Sequence, residues 1–293
     1  MRLMLDLKSL QNANYNSYNR YEILGLIYKL LKNTKFEYLH SHKGFKFFNF
    51  SNIFPVEKFE KDKEYNLIIS SPNKELIKVI KSRIKEYPER ILQIGKLKFE
   101  IKKVKTFDLK LKFPWKTSSP IVLRKGKYAF IYDGKNEYRV FLKNVKILKD
   151  LGFKKEKLNI RQNFKNITQE ELNNLPKNSK IIKISDVYFS FEKGDNFSEW
   201  LQELKRNSIE KYKEFFNEEI EIEGNIFEEF KYKREIPIKM RIKNKEVIFI
   251  GTEWEKLNVL RKLSREEIKF YKFLLDCGLG SLNSLGFGFV NIV

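Results

Sequence analysis

The chain has two histidines, His40 and His42, one residue apart in Tyr38-Leu39-His40-Ser41-His42-Lys43-Gly44. Imidazole is the side chain whose unperturbed pKa lies nearest neutrality, so it suits proton transfer. Lys43 and Lys46 flank the pair. Two imidazoles beside ammonium groups meet the needs of in-line RNA cleavage. One group takes the proton from a 2′-hydroxyl as its oxygen attacks the adjacent phosphorus, a second protonates the leaving oxygen, and a lysine offsets charge on the phosphorane. The same residues also fit a plain exposed loop with two incidental histidines, and spacing alone leaves both readings open. A zinc site does not fit, because the only further soft ligand is the distant Cys277, short of a structural tetrahedral set. No metal or other cofactor is expected.

The second motif lies in the last sixteen residues. Gly278-Leu279-Gly280 is followed, after five residues, by Gly286-Phe287-Gly288 and then Phe289-Val290-Asn291-Ile292-Val293. Glycine is needed where φ is positive or where another backbone comes very close. Gly278 is placed to stop an apolar helix ending at Asp276-Cys277, in a left-handed conformation. Backbone N–H groups in such a turn can form an anion nest, and a tight helix-to-strand connection explains the glycines equally well. The dinucleotide-binding and P-loop spacings are both absent.

The spacing of the four glycines resembles the terminal glycine-rich motif of the repeat-associated mysterious protein superfamily. Within that superfamily it is most similar to the CRISPR repeat-RNA endoribonucleases, the sixth of the numbered Cas families. The resemblance implies a catalytic histidine in the loop after the first helix. That carries over onto His40, because Tyr38-Leu39-His40-x-x-Lys43-Gly44-x-Lys46-x-Phe48 is similar to the archaeal pattern. It also implies roles for a tyrosine of the first helix, matched by Tyr28, and for a lysine of the second strand, matched by Lys46. The acid and base are not fixed in the family, so His42 shares or takes over the role. Tyr28 equally suits core packing beside Leu24 and Leu31. The resemblance covers both ends of the chain, while residues 133–195 match nothing recognisable. What it implies is a metal-independent endoribonuclease that cuts a CRISPR transcript within each repeat, leaving a 2′,3′-cyclic phosphate and a 5′-hydroxyl. A non-catalytic RNA-binding subunit of a CRISPR effector complex is the alternative.

Composition agrees with a polyanionic partner. Lysine and arginine number 59 against 38 acidic residues, a net charge of +21, and so large an excess favours nucleic acid. Codon bias in an A+T-rich genome would also raise lysine. Lys43 and the strand face of Lys239, Arg241 and Lys243 are candidate phosphate contacts, together with Gly278, Gly280, Gly286 and Gly288. A solvated basic face is the other account of that strand. Phe45, Phe47 and Phe48 suit either base stacking or the core. No apolar run is long enough to span a membrane, and the start lacks a signal-peptide pattern. The single cysteine fits a reducing compartment, so a cytoplasmic protein is expected; a monomer or homodimer is expected as well.

The elements that must position these residues read as α+β: two tandem ferredoxin-like βαββαβ domains, 1–116 and 117–293, with a C-terminal glycine-rich loop at 278–288 and an insertion around 133–195. In the first, Leu3, Leu5 and Leu7 alternate in a strand, and residues 18–32 carry Ile23, Leu26, Ile27 and Leu30 at helical spacing. Strands over 43–54 and 65–70 follow, then a helix capped by Ser71 and a strand at Leu97 to Ile101. In the second, a strand at Ile121 to Tyr132 precedes the insertion, where Tyr138 to Leu142 and Ile181 to Phe191 read as extra strands, and then a helix capped by Ser198. A hairpin turning at Asn244-Lys245, a helix opened by the Ser264/Glu267 capping box, and the final strand complete the order.

Overall fold

Leu3, Leu5 and Leu7 point to one side of β1 (Arg2–Ser9) and are fully buried. Each such side chain gives about 1.5–3 kcal/mol over leaving it in water, so a strand this regular belongs at the centre of a sheet. The computed structural model, which describes residues 1–156, 164–242 and 245–293, places it there. After β1 come α1 (Arg20–Leu31), β2 (Asn49–Phe50), β3 (Glu64–Ser70), α2 (Lys74–Lys85), β4 (Ile91–Ile94) and β5 (Leu97–Phe107). The sheet order is β2-β3-β1-β5-β4, with Leu3 opposite Ile69 on one side and Thr106 on the other. This is the ferredoxin-like arrangement with β4 added as an edge hairpin. The helices bury Ile23, Ile27 and Leu30 from α1 and Leu76, Ile77, Ile80 and Ile84 from α2. An Asn19/Glu22 capping box fixes the start of α1.

A second sheet uses β6 (Trp115–Thr117), and the chain then enters a separate run of elements: β7 (Arg124–Tyr132), β8 (Glu137–Leu142), α3 (Lys146–Asp150), β9 (Lys154–Lys155), β10 (Lys165–Ile167), α4 (Gln169–Leu172) and β11 (Lys180–Tyr188). It returns through α5 (Phe197–Phe216), β12 (Glu229–Ile242), β13 (Lys245–Asn258), α6 (Arg265–Cys277) and β14 (Val290–Ile292). The order β12-β13-β6-β14 repeats the ferredoxin-like pattern. Residues 1–123 and 190–293 make one compact unit, holding both of these sheets, and Arg124–Phe189 make the other. Among the described residues, no helix is long and apolar enough to cross a membrane.

Several elements differ from the sequence expectation, each for a local reason. The strand expected over 43–54 shrinks to β2, because Phe47 takes a positive φ of 49° and residues before it form a loop. Lys46 therefore stands in that loop and not on a strand. The helix expected to begin at Ser71 starts later, since Asn73 accepts from the N–H groups of Glu75 and Leu76 while the Ser71 hydroxyl donates to the Phe47 carbonyl. For the same reason Asn196, not Ser198, caps α5. The expected strand at Ile121 to Tyr132 is divided. Ile121 and Val122 bridge to Thr252 and Ser281, whereas β7 belongs to the other unit, and β6 is the first strand of the second sheet. The turn at Asn244 and the side chain of Lys243 lie outside the described residues.

Candidate active site

Tyr28 follows Ile27 on α1, one position past the buried stripe, so its ring is half-buried and its hydroxyl reaches the rim. A short 3-10 turn, Glu37–His40, is anchored by the buried Leu39, which leaves His40 exposed at its end. The His40 ring meets Tyr28 edge-on, with centroids 4.9 Å apart. On the far side of the loop Phe48 is fully buried and packs edge-on to the same tyrosine at 6.5 Å. Phe48 is thus core and not a stacking surface. It holds Lys46, two residues earlier, where the ammonium donates a hydrogen bond to the Tyr28 hydroxyl. Tyr28, His40 and Lys46 come together at one spot.

Burial, with a smaller contribution from Tyr21, pushes the Tyr28 phenol up to about 12, so near neutral pH it is a neutral hydroxyl. Burial also holds Lys46 below the usual lysine value, which makes its ammonium a better proton donor than a solvated one. The cluster offers an exposed imidazole, a half-buried cation and a neutral hydroxyl able to donate to a phosphate oxygen.

His42 does not join this cluster. Its N–H donates to the Tyr38 carbonyl and its ring lies edge-on to Tyr38 at 6.2 Å. It turns instead over Gly44, where a Cβ would stand 2.6 Å from the His42 Nε2. There it lines a cavity of about 270 Å³ with Lys46, Phe45, Asn73 and, from α5, Glu214 and Phe215. Lys46 is the residue shared between cluster and cavity. Phe47 packs on Phe215 at 5.0 Å and on Phe273, so it joins the two halves of the fold.

The four loop glycines are buried. Gly278 has φ 90° and ψ 162°, a glycine conformation but not the helical left-handed one expected. A Cβ on Gly286 would come 2.5 Å from the Phe50 ring and 2.7 Å from Arg20 Nη1, and one on Gly288 would collide with the Leu279 carbonyl oxygen. These close approaches are to protein. Sequence reasoning missed the side chains that bind the loop. Lys211 of α5, wholly buried, donates to the carbonyls of Gly278 (2.6 Å) and Gly280 (3.1 Å) and to Asn283 Oδ1 (3.0 Å). Arg20 donates to the Gly286 carbonyl at 2.6 Å, and Asn49 to that of Phe287 at 2.9 Å. The available signal was a lysine on the apolar stripe of α5, seven residues after the buried Leu204.

Lys43 is exposed, and Lys239 and Arg241 are exposed on the edge strand β12, with Lys239 3.9 Å from Glu246. Paired basic side chains on β12 include Lys231 with Glu255 and Arg234 with Glu253.

Fold and site define an α+β protein of the repeat-associated mysterious protein class, two ferredoxin-like sheets with a glycine-rich loop between α6 and β14. A solved structure described as a RAMP protein binding different RNA substrates aligns over 100% of this chain and 99% of its own, with TM-score 0.62 and 18% identity. Another, described as CRISPR associated protein Cas6, aligns over 100% and 99% with TM-score 0.58 and 24% identity. The family model for CRISPR associated protein Cas6, C-terminal, matches residues 183–292. CRISPR-associated endoribonuclease Cas6 2 of Methanocaldococcus jannaschii is 34% identical over 99% of both chains. The chain belongs to the Cas6 family.

Proposed function

We propose that this protein is an endoribonuclease that binds CRISPR repeat RNA and cuts the precursor transcript within each repeat, without a metal. The observation that carries the reading is the meeting of Tyr28, His40 and Lys46 at one solvent-facing spot, in a chain of the Cas6 family. His40 takes the proton of the 2′-hydroxyl as its oxygen attacks phosphorus. The bond from phosphorus to the 5′-oxygen breaks, and that oxygen receives a proton from Lys46, directly or through water. The Lys46 charge and the Tyr28 hydroxyl offset the developing phosphorane charge. The products are a 2′,3′-cyclic phosphate and a 5′-hydroxyl. No water is consumed in this step, so no activated hydroxide is required.

Phosphate contacts are assigned to Lys43, Lys239 and Arg241, and to Lys243. The proposed domain division near 116/117 lies at β6 (Trp115–Thr117), the strand that opens the second βαββαβ order. The test is single-turnover cutting of repeat RNA by the wild type and His40→Ala, with binding measured beside it. A loss of about 10²–10⁴-fold in rate at near-constant affinity is expected. Full activity in His40→Ala contradicts the assignment.

A further inference from the structure

We infer that the unit Arg124–Phe189 is a platform on which single-stranded RNA stacks. The proposal rests on the reading that the protein binds RNA, and assigns part of that binding to residues outside the cutting site. Residues 124–189 contain sixteen lysines and arginines against seven aspartates and glutamates. That excess of nine is more than two-fifths of the net charge of +21 in under a quarter of the chain.

The unit is a sheet of order β10-β8-β7-β11-β9 with two unlike faces. One face buries Ala129, Ile131, Val140 and Leu142 against Leu148 of α3 and Leu172 of α4. The other carries two cross-strand rows: Phe130 between Arg139 and Lys183, and Tyr128 between Phe141 and Ser185. Tyr128, Phe130, Phe141 and Arg139 are half-buried and Lys183 is exposed. Tyr128 meets Phe141 edge-on at 5.7 Å. The Arg139 guanidinium lies 4.9 Å from the Tyr128 ring centre, and the Lys183 ammonium 5.7 Å from that of Phe130. Gly126 leaves room for Phe141, whose ring would be 2.6 Å from a Cβ there.

The outer face of a one-sided antiparallel sheet is ordinarily polar. Phe164, half-buried, packs edge-on to Phe130 at 5.1 Å and against Arg139, and so forms part of the same face; aromatic rings interleaved with cations supply π surface for bases and positive charge for the linking phosphates, the combination that unpaired RNA needs. A protein partner fits less well, because the centres of protein interfaces are depleted in lysine.

The experiment uses full-length protein with two probes, an oligouridine single strand and repeat RNA bearing 4-thiouridine. Tyr128→Ala and Phe130→Ala should each weaken oligouridine binding by roughly 5- to 100-fold, whereas Tyr128→Phe and Phe130→Tyr should bind as the wild type does. Photocrosslinks should map within residues 124–189. Lys183→Gln and Arg139→Gln should each flatten the slope of log affinity against log salt by about 0.7, and they decide the matter if the alanine variants fail to fold. Repeat RNA at saturating concentration should still be cut by all of them. Unchanged affinity and slope, with no crosslink in 124–189, in a protein that still cuts repeat RNA would overturn the platform alone. Crosslinks to a copurifying protein at this face in place of RNA would do the same. A wild type that binds neither probe overturns the platform and the proposed function together.

Discussion

Lys46 touches both the Tyr28 hydroxyl and the cavity, and its ionisation should govern the alkaline side of the reaction. Burial lowers its pKa, so as pH rises the ammonium is lost earlier than from a solvated lysine. The rate should therefore fall along an alkaline limb below the ordinary lysine range. That limb should vanish in Lys46→Arg, whose guanidinium does not titrate there. Tyr28, pushed up to about 12, cannot produce a limb at lower pH. A pH–rate profile unchanged by Lys46→Arg would remove the lysine from proton transfer. His42→Ala should cost only a few-fold, in binding and not in the single-turnover rate, because His42 faces the cavity. The sequence offered His40 and Lys46 by residue type and order, and Tyr28 only through the family resemblance. It did not show that the histidines part company. Residues two apart on a helical turn do not share a face, and Gly44 gives the His42 ring somewhere else to lie.

At the scale of elements, the glycine loop is held by hydrogen bonds from Lys211, Arg20 and Asn49. Lys211→Met should leave the Gly278 and Gly280 carbonyls and Asn283 Oδ1 without their shared donor. A loss of roughly 1–3 kcal/mol in urea unfolding is expected, held down by relief of the cost of burying the ammonium. Unchanged stability would mean that the loop closes without its lysine. Gly286→Val should destabilise more, because Phe50 and Arg20 occupy the space and φ is 81°. Its remaining folded fraction should bind RNA normally if the glycine is required by packing. The loop's existence was readable from spacing, but its partners were not, since Lys211, Arg20 and Asn49 lie far away in sequence. Helix starts were misplaced by two residues at α2 and α5 for a related reason: serine and asparagine are both good caps, and the asparagine that reaches two N–H groups wins.

Across the whole molecule the βαββαβ order was legible twice, because alternation and helical periodicity are local signals. The inserted unit was legible only in part: Tyr138 to Leu142 and Ile181 to Phe191 read as strands and form β8 and β11, but β10 pairs with β8 and β9 with β11 in parallel, contacts between short strands that no local pattern announces. The net charge of +21 was plain and predicts steep salt dependence. Affinity for repeat RNA should fall tenfold or more between about 50 and 200 mM salt, and a flat titration would remove the basic surface from binding. The central claim is the 2′-hydroxyl attack without a metal. It is tested most directly by the single-turnover rate on repeat RNA, in excess chelator, with and without one 2′-deoxy substitution just 5′ of the cut. The account predicts full-rate cutting of the all-ribose strand and none of the deoxy strand, which should bind equally well. Cutting of the deoxy strand, or loss of all cutting in chelator, would contradict it.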